Sequence, residues 1–528
     1  MTEEQKMATQ KDAEPTVVTL YNGIPYSVIA DDLTSVQKDA YYTEMQEIVN
    51  LYAAYKKGEE FLTEGSNADY VPSQLRYKKA ASIINKEARF LFANPPTFNI
   101  NIDDVSDGVK EQNAVVQDFL DTVLRKNNLN EKLLKAAKDC FIGKRVALVL
   151  NFNDTSGITI TFLNSMEFVY ETSGVGSDEL KKLVMFSNLE DTLYKEKQRW
   201  FKKVYTLENG VVYVEENIYD GLGKLIEPVL KKTRTLFTYI PAVVILNDGL
   251  TGETKGESEL GSLLGYEAVY SKLANADIDA ERKGMNPTRY TIDASSESTA
   301  NLSIAPGAYW DLQSDEDKST ERQAQVGMME PTMAYSNALK TTLDRIENTM
   351  YAEVDVPNIN SEQLQGVITS GKTLKALYWG LTVRCDEKML TWGPALHFLA
   401  ATIIEGGRLY PKSISKYTTA TTLPAISCEI QVENNYPLPE DEVEEKNMDL
   451  AEIEAKVMSR KAYLKKWRKL NDAEAEAELL QIKAEQDLFE NSVLPDIGDE
   501  DVADADALDI EEQIDEEGTV DTNPMDAV

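Results

Sequence analysis

Apolar residues recur every three or four positions over long stretches of the chain, the spacing typical of helices that bury one face. This pattern predicts a helix within residues 34–63, a second from about Pro72 to Phe92, and two more between residues 109 and 140. Pro95 and Pro96 follow the second helix and should end it.

Alternating apolar and polar residues then predict strands. "VALVLNF" and "GITITFLN" flank the turn "NDTSG", and residues 181–247 contain "LVMFSNL", "RWFKKVYTL", "VVYVEENIY" and "PAVVILN" between turns that carry Gly or Asp. Such short alternating segments predict an antiparallel β region.

Helical spacing returns in residues 257–285, where Glu267 is the one charged residue within the apolar stripe. Residues 286–332 are rich in Ser, Asp and Gly, with "RYTIDA" and "GAYWDL" as predicted strands, and a further helix is predicted at residues 333–353. These patterns predict two helices on either side of a small β insert.

The longest periodic stretch runs from Leu374 to Ile403, and Pro394 should kink it because proline removes a backbone donor. "SCEIQVENNYP" predicts a strand. Residues 438–493 are predicted to be helical, with heptad-like spacing of Leu450, Val457 and Leu464 and with Asn471 as an N-cap. The predicted fold class is therefore α+β.

Composition narrows the possible functions. The chain has 54 basic and 90 acidic residues and a net charge of −36, which is the wrong sign for gripping nucleic acid over a broad surface. Residues 494–528 hold 14 acidic residues and no basic ones, which predicts a disordered acidic tail whose role is open. No apolar run is long enough for a membrane span, and we expect synthesis in the cytoplasm.

Few residues offer catalytic chemistry. Cys140, Cys385 and Cys428 lie far apart and are predicted to be small core residues in a reducing compartment. The single histidine, His397, lies in an apolar run and is predicted to be a core or interface residue. We expect no metal site, no cofactor and no catalytic residues.

Residues 366–373, "GVITSGKT", match the phosphate-binding loop G-x-x-x-x-G-K-[ST]. A working loop follows a buried strand and opens a helix, but the residues before Gly366, "PNINSEQLQ", are polar and led by proline. We therefore expect Ser370 to cap the following helix, and keep a nucleotide-hydrolysing enzyme as an alternative.

Four segments, in their order along the chain, resemble segments of portal proteins from long-tailed bacteriophages. They are "RYKKAASIINKEARFLFANPPTFNI" (76–100), "IPAVVILND" (240–248) with the helix after it, "TSGKTLKALYWGL" (369–381), and "CEIQVENNYPLPEDEVEE" (428–445). The resemblance implies a wing (1–256 and 370–437), a two-helix stem (257–285 and 333–353), a clip (286–332), a tunnel loop (354–369) and a helical crown (438–493). A non-portal structural or scaffolding protein is the other alternative.

The resemblance further implies a ring of about twelve copies at one capsid vertex of the virion, assembled in the host cytoplasm. Double-stranded DNA would pass through it during packaging and ejection. Its partners would be the terminase large subunit, head-tail connector or adaptor proteins, and the major capsid and scaffolding proteins. Such a protein would not be an enzyme.

Three sets of residues are the predicted contact sites, and each has a plainer interpretation: a solvent loop, a small-domain core and a solvated helix face. The tunnel loop and its flank would present polar groups to DNA through Asn358, Asn360, Ser361, Gln363, Gln365 and Lys372. The clip would bind partners through Arg289, Tyr290, Tyr309 and Trp310. The basic cluster of the crown comprises Arg460, Lys461, Lys465, Lys466, Arg468 and Lys469.

Overall fold

The computed structural model describes residues 24–29, 32, 35–62, 71–102, 106–174, 179–190, 197–250, 255–285, 288–300, 302, 309–314, 323–329, 333–358, 375–426, 429–437, 442–468, 470 and 472–490. The chain divides into two compact units between residues 439 and 440. In the described ranges, no helix is both long enough and apolar enough to cross a membrane.

Helices and strands alternate through the first unit. Its helices are α1 (Ser35–Lys57), α2 (Lys79–Phe92), α3 (Asp107–Lys126), α4 (Leu129–Gly143), α5 (Glu259–Met285), α6 (Ser296–Thr299), α7 (Ser336–Glu353) and α8 (Trp379–Leu409). Its strands are β1 (Thr97–Asn101), β2 (Arg145–Asn153), β3 (Gly157–Asn164), β4 (Phe168–Thr172), β5 (Leu180–Glu190), β6 (Arg199–Glu208), β7 (Val211–Asp220), β8 (Leu225–Arg234), β9 (Ala242–Leu246), β10 (Thr288–Ile292), β11 (Gln325–Met329) and β12 (Glu429–Glu433).

Every strand pair in the described ranges is antiparallel. The largest sheet has the order β4-β5-β6-β7-β8, and a second has the order β3-β2-β9. Two further pairs, β1-β12 and β10-β11, form separate two-stranded sheets. This is the mixed α+β architecture that the sequence predicts, with the antiparallel region where alternation predicts it.

The main core lies where α2, α3, α4 and α8 pack around β2 and β3. Its largest fully buried side chains include Trp392, Phe92, Phe119 and Phe141, and burying each such ring contributes roughly 2–3 kcal/mol. Cys140 and Cys385 are buried in this core, as predicted, whereas Cys428 lies outside the described residues. The apolar stripe of α8 packs in this core, and Pro394 lies within that helix.

Several predictions are wrong in detail. The second helix begins at Lys79 and not near Pro72. Tyr309 and Trp310 of "GAYWDL" are not in a strand, since β10 pairs with Gln325–Met329. His397 is exposed on α8 and is not a core residue, because the inward positions of that turn belong to Leu396 and Leu399; its other predicted place, an interface, stays a prediction.

The second unit contains α9 (Glu442–Glu454), α10 (Arg460–Arg468) and α11 (Asp472–Glu490). The predicted heptad seam is not continuous, because the chain leaves the helix after α9 and Lys456 takes a left-handed φ of 62°. Leu464 is buried, but Leu450 and Val457 are exposed. The proposed N-cap, Asn471, lies outside the described residues.

Candidate functional site

The predicted stem helices, α5 and α7, pack against each other, and the β10-β11 ribbon lies between them in sequence. Helix α2 holds α7 in place from the other side. Lys79 Nζ lies 2.9 Å from Glu347 Oε1, and Lys86 Nζ donates to the Tyr351 hydroxyl at 2.7 Å. The ribbon is therefore carried on a helix pair that is tied to the core.

One face of α5 binds an extended segment, residues 71–78. Four polar side chains spaced four residues apart lie on this face, because residues i and i+4 share one side of a helix. Three of them bond to the segment, and the first, Glu267, bonds to backbone amides on either side of it. Glu267 accepts from the backbone amides of Ala80 (2.7 Å) and Glu59 (2.9 Å), Ser271 from that of Tyr77 (3.3 Å), Asn275 from that of Leu75 (2.8 Å) and Asp279 from that of Ser73 (3.0 Å).

We call these four residues the α5 ladder. They help to explain why the second helix starts late, because the amides of Ser73, Leu75 and Tyr77 and the carbonyl of Leu75 bond to α5 in place of helical partners. Glu267, which interrupts the apolar stripe in sequence, is the first member of the ladder and is almost fully buried.

The ribbon brings two of the predicted clip residues together. The guanidinium carbon of Arg289 lies 5.1 Å from the centroid of the Trp310 ring. Tyr290 pairs in register with Gly327, where a Cβ would come within 2.4 Å of the tyrosine ring, so a larger residue there would require the ring to move. Tyr309 is 89% exposed. The interpretation of these residues as a small-domain core is therefore wrong for Tyr290 and Tyr309, which are both exposed.

Most of the predicted tunnel-loop residues lie outside the described part of the chain: Asn360, Ser361, Gln363, Gln365 and Lys372, together with the whole of "GVITSGKT" and Ser370. Asn358 is described, and its Nδ2 donates to Asn348 Oδ1 of α7 at 2.9 Å. The chain thus leaves α7 toward this loop through a side-chain contact back to the helix.

The basic cluster of the second unit is largely paired within that unit. Lys461 lies 2.6 Å from Glu476, Lys466 lies 2.9 Å from Asp449, and Arg468 lies 2.6 Å from Glu478. Lys466 and Trp467 both contact Asp449, and they lower its pKa. Arg460 and Lys465 are exposed, and Lys469 lies outside the described residues. These ion pairs agree with a solvated helix face.

A second group of charged residues is buried where α2, α5 and α8 meet. Glu87 on α2 and Glu259 in the first turn of α5 face Arg384 and Lys388 on α8. Arg384 Nε donates to Glu87 Oε1 at 2.9 Å, and its Nη2 lies 3.4 Å from Glu259 Oε2. Lys388 Nζ contacts Glu259 Oε1 directly. We call these four residues the charge quartet.

The pKa values of the two carboxyl groups of the quartet shift in opposite directions. Glu87 Oε2 and Glu259 Oε2 are buried and receive no hydrogen bond within the described ranges, so a proton on Glu87 would bridge them. Burial and the charge of Glu259 raise the pKa of Glu87 well above its ordinary value. Burial acts to raise the pKa of Glu259 too, but the hydrogen bond from Glu87 and the charges of Lys388 and Arg384 hold it below the ordinary value.

Comparison with known families identifies the protein class. A family model described as "Phage portal protein, SPP1 Gp6-like" matches residues 33–243 and 266–488. The chain belongs to the phage portal protein family. No curated protein matches it. The matched ranges span the α5 ladder, the ribbon and the second unit, while Glu259 of the quartet falls in the unmatched segment between them.

Family membership states the role in general terms. A portal protein is a structural component of the bacteriophage virion, the connector of the head, and DNA packaging is the typical role of the family. The family is not known for catalysis. Every described strand pair is antiparallel, so the described ranges contain no parallel sheet of the kind that carries a phosphate-binding loop.

Sequence reasoning missed both the ladder and the quartet of this portal protein. The ladder does leave a signal, since Glu267, Ser271, Asn275 and Asp279 recur every four residues. The quartet leaves almost none, because its members are dispersed between residues 87 and 388 and each is an ordinary charged position on a helix.

Proposed function

We propose that this chain is one subunit of a ring of about twelve copies at a single capsid vertex. Double-stranded DNA would be driven inward through the ring by the terminase motor and would later leave through it. The observation that carries this proposal is the family match across both units of the chain, together with a paired-helix and ribbon arrangement inside the matched region.

The segments receive places in that ring. Residues 1–256 and 370–437 would form the wing, residues 257–285 and 333–353 the stem, and residues 286–332 the clip. Residues 438–493 would form the crown, followed by the acidic tail 494–528. The contact between α5 and α7 supports the stem, because two long helices packed side by side can line a channel wall.

Loop 354–369 would face the DNA. Its predicted contacts, Asn358, Asn360, Ser361, Gln363 and Gln365, are amides and a hydroxyl, which exchange hydrogen bonds with a phosphate backbone of any sequence. Each Lys or Arg contact to phosphate would add affinity through released counterions. A protein with a net charge of −36 avoids that affinity, so duplex can slide.

The clip would dock the terminase large subunit during packaging and connector or adaptor proteins afterwards. Its ribbon exposes large apolar side chains on both strands, namely Tyr290, Ile292, Val326, Met328 and Met329. Arg289, which contacts Trp310, shares one face of the ribbon with Val326 and Met328, whereas Tyr290, Ile292 and Met329 lie on the other face. Arg, Tyr and Trp are the residues that binding hot spots favour.

The basic cluster of the crown would contribute little to DNA binding, because Lys461, Lys466 and Arg468 already have carboxylate partners. The outer surface of the wing would contact the major capsid and scaffolding proteins.

Electron microscopy of the purified protein in negative stain tests the ring. The expected images are rings with a central hole, and mass photometry should give a mass near twelve times 59.1 kDa. Packaging by motor and proheads that contain this portal then tests the DNA role. Monomers at concentrations far above those in an infected cell would refute the ring. Rings that support no packaging would refute the DNA role.

A further inference from the structure

A cavity of about 630 Å³ lies between the five-stranded sheet and the end of β2. The inward residues of β6 and β7 form its floor, since Lys203 pairs with Glu216 and Tyr205 with Val214 in register and alternate residues share one face. Cavities of this size hold organic ligands or groups of side chains.

Aromatic rings form one wall of the cavity. Phe152, Phe237 and Tyr410 pack against one another with ring centroids 5.2–5.7 Å apart. Such a wall favours an aromatic guest, because offset or edge-to-face contacts between rings add to the free energy of burial.

One side-chain amide that lines the cavity can donate a hydrogen bond. Asn151 Oδ1 accepts from Lys203 Nζ at 2.7 Å and from the Tyr205 hydroxyl at 3.1 Å, which directs the amide Nδ2 of Asn151 away from both. Thr235 Oγ1 is buried and has no hydrogen-bond partner in the described ranges. Because that hydroxyl is sealed from the cavity, the donor within reach of a guest is the amide of Asn151, which lines the cavity.

Lys203 adds a fixed positive charge. Burial acts to lower its pKa, but Tyr205 and Glu216 beside it raise the pKa overall, so the ammonium group persists at neutral pH. Glu216 Oε1 lies 3.0 Å from Lys203 Nζ and balances that charge. The polar side of the cavity therefore suits a neutral acceptor such as a peptide carbonyl better than it suits an anion.

The mouth of the cavity opens at β8. Val229 lines the cavity and is 48% exposed, and β8 is the outer strand of its sheet, so an incoming chain can lie along it. We propose that this cavity binds one aromatic side chain of a partner virion protein, together with the backbone carbonyl groups that flank it. The proposal concerns the wing surface and does not depend on ring formation or DNA passage.

N-acetyl-tryptophanamide is a suitable probe, because it carries an aromatic ring between two peptide carbonyl groups. Saturation-transfer NMR with the full-length protein should show saturable binding. Indole, which lacks the carbonyl groups, should bind roughly fivefold or more weakly, the loss that corresponds to about one hydrogen bond. Thr235→Val should leave binding of both probes unchanged, because the buried hydroxyl does not reach the cavity.

Val229→Trp should abolish binding of both probes, since the new ring can occupy the mouth from within. Ile226→Trp is the matched control, because Ile226 lies on the same strand with similar exposure, 44%, but does not line the cavity. Both variants should form rings as the wild type does.

No saturable binding to wild-type protein would overturn the proposal, and so would equal binding to Val229→Trp. Equal affinities for indole and the amide probe would overturn the assignment of the carbonyl groups. Loss of rings in the wild type would instead count against the proposed function, so the two failures are distinguishable.

Discussion

The charge quartet predicts a sharp difference between two substitutions that look alike. In Glu259→Gln, Lys388 and the more distant Arg384 lose a carboxylate partner inside the core. At 3.4 Å and an effective dielectric constant of about 20, one such ion pair is worth about 5 kcal/mol before desolvation. Removing one partner of a buried pair typically costs about 3–5 kcal/mol in net stability.

That cost converts to a modest thermal shift, because the first unit is large. An entropy of unfolding of about 2.1 cal/mol/K per residue over a unit that ends at residue 439 gives about 0.9 kcal/mol/K. Glu259→Gln should therefore lower the melting temperature by about 3–5 °C.

Glu87→Gln should behave differently. The raised pKa of Glu87 means that the folded state favours its protonated form, and glutamine reproduces that form. The amide oxygen can accept from Arg384, and the amide nitrogen can donate to Glu259. We expect a change of about 1 °C or less near pH 5.

The pH dependence follows from the same shift. A carboxyl group with a raised folded-state pKa contributes stability below its unfolded pKa and loses that contribution as the pH rises through the folded pKa. Glutamine has no proton to lose. Wild-type protein should therefore become less stable relative to Glu87→Gln as the pH rises from about 5 to about 9.

Melting curves by circular dichroism would measure both effects. All curves should use one scan rate, because large assemblies often unfold irreversibly and their apparent melting temperature then depends on that rate. Glu387→Gln, on the exposed face of the same helix α8, is the control and should leave the melting temperature unchanged. Equal losses for Glu87→Gln and Glu259→Gln, or a gap that stays constant with pH, would refute the assignment of the shared proton.

Four further outcomes are expected. Calorimetry with Mg·ATP should show no binding, and Lys372→Ala should leave rings intact; micromolar binding that this change abolishes would contradict the portal interpretation of "GVITSGKT". Ser361→Trp should assemble normally yet package DNA poorly, and wild-type packaging would show that the loop does not line the channel. Deleting residues 495–528 should leave ring assembly and the melting temperature nearly unchanged, because a segment with 14 acidic residues and no basic ones offers little apolar surface to bury; loss of rings would mark it as a structural arm. Glu267→Ala leaves the amides of Glu59 and Ala80 without their acceptor and should speed limited proteolysis between these two residues, whereas an unchanged cleavage rate would mean that Glu267 does not hold the chain there.

Sequence patterns predicted the elements whose side chains enter a common core. Helix α4 and strands β2 and β3 are examples, since their buried positions follow the periods of helix and strand. Strand β8 escaped prediction because nearly all of its residues are exposed, so no alternation marks it. Strand β1 also escaped prediction, because it is only five residues long and its partner, β12, lies far along the chain.

The ladder and the quartet could not be read from local patterns for a different reason. Each ladder side chain bonds to backbone about 200 residues away, and a helix with a polar face of this kind has the same spacing as one that faces solvent. Among the predicted site residues, Arg289 and Trp310 of the clip lie in contact. Most of the predicted tunnel loop lies outside the described residues.

Charge pairing links these observations to the role of the protein. Many of the cations in the described ranges are held by carboxylates, as in Lys79 with Glu347, Arg384 with Glu87 and Lys466 with Asp449. Such pairs use basic groups to join helices, and they leave the acidic excess of 36 charges for other surfaces. Because phosphate affinity grows with each free Lys or Arg, internal pairing lowers the number available to a passing duplex. The same contacts that hold the helices together would therefore favour DNA sliding in the channel proposed above.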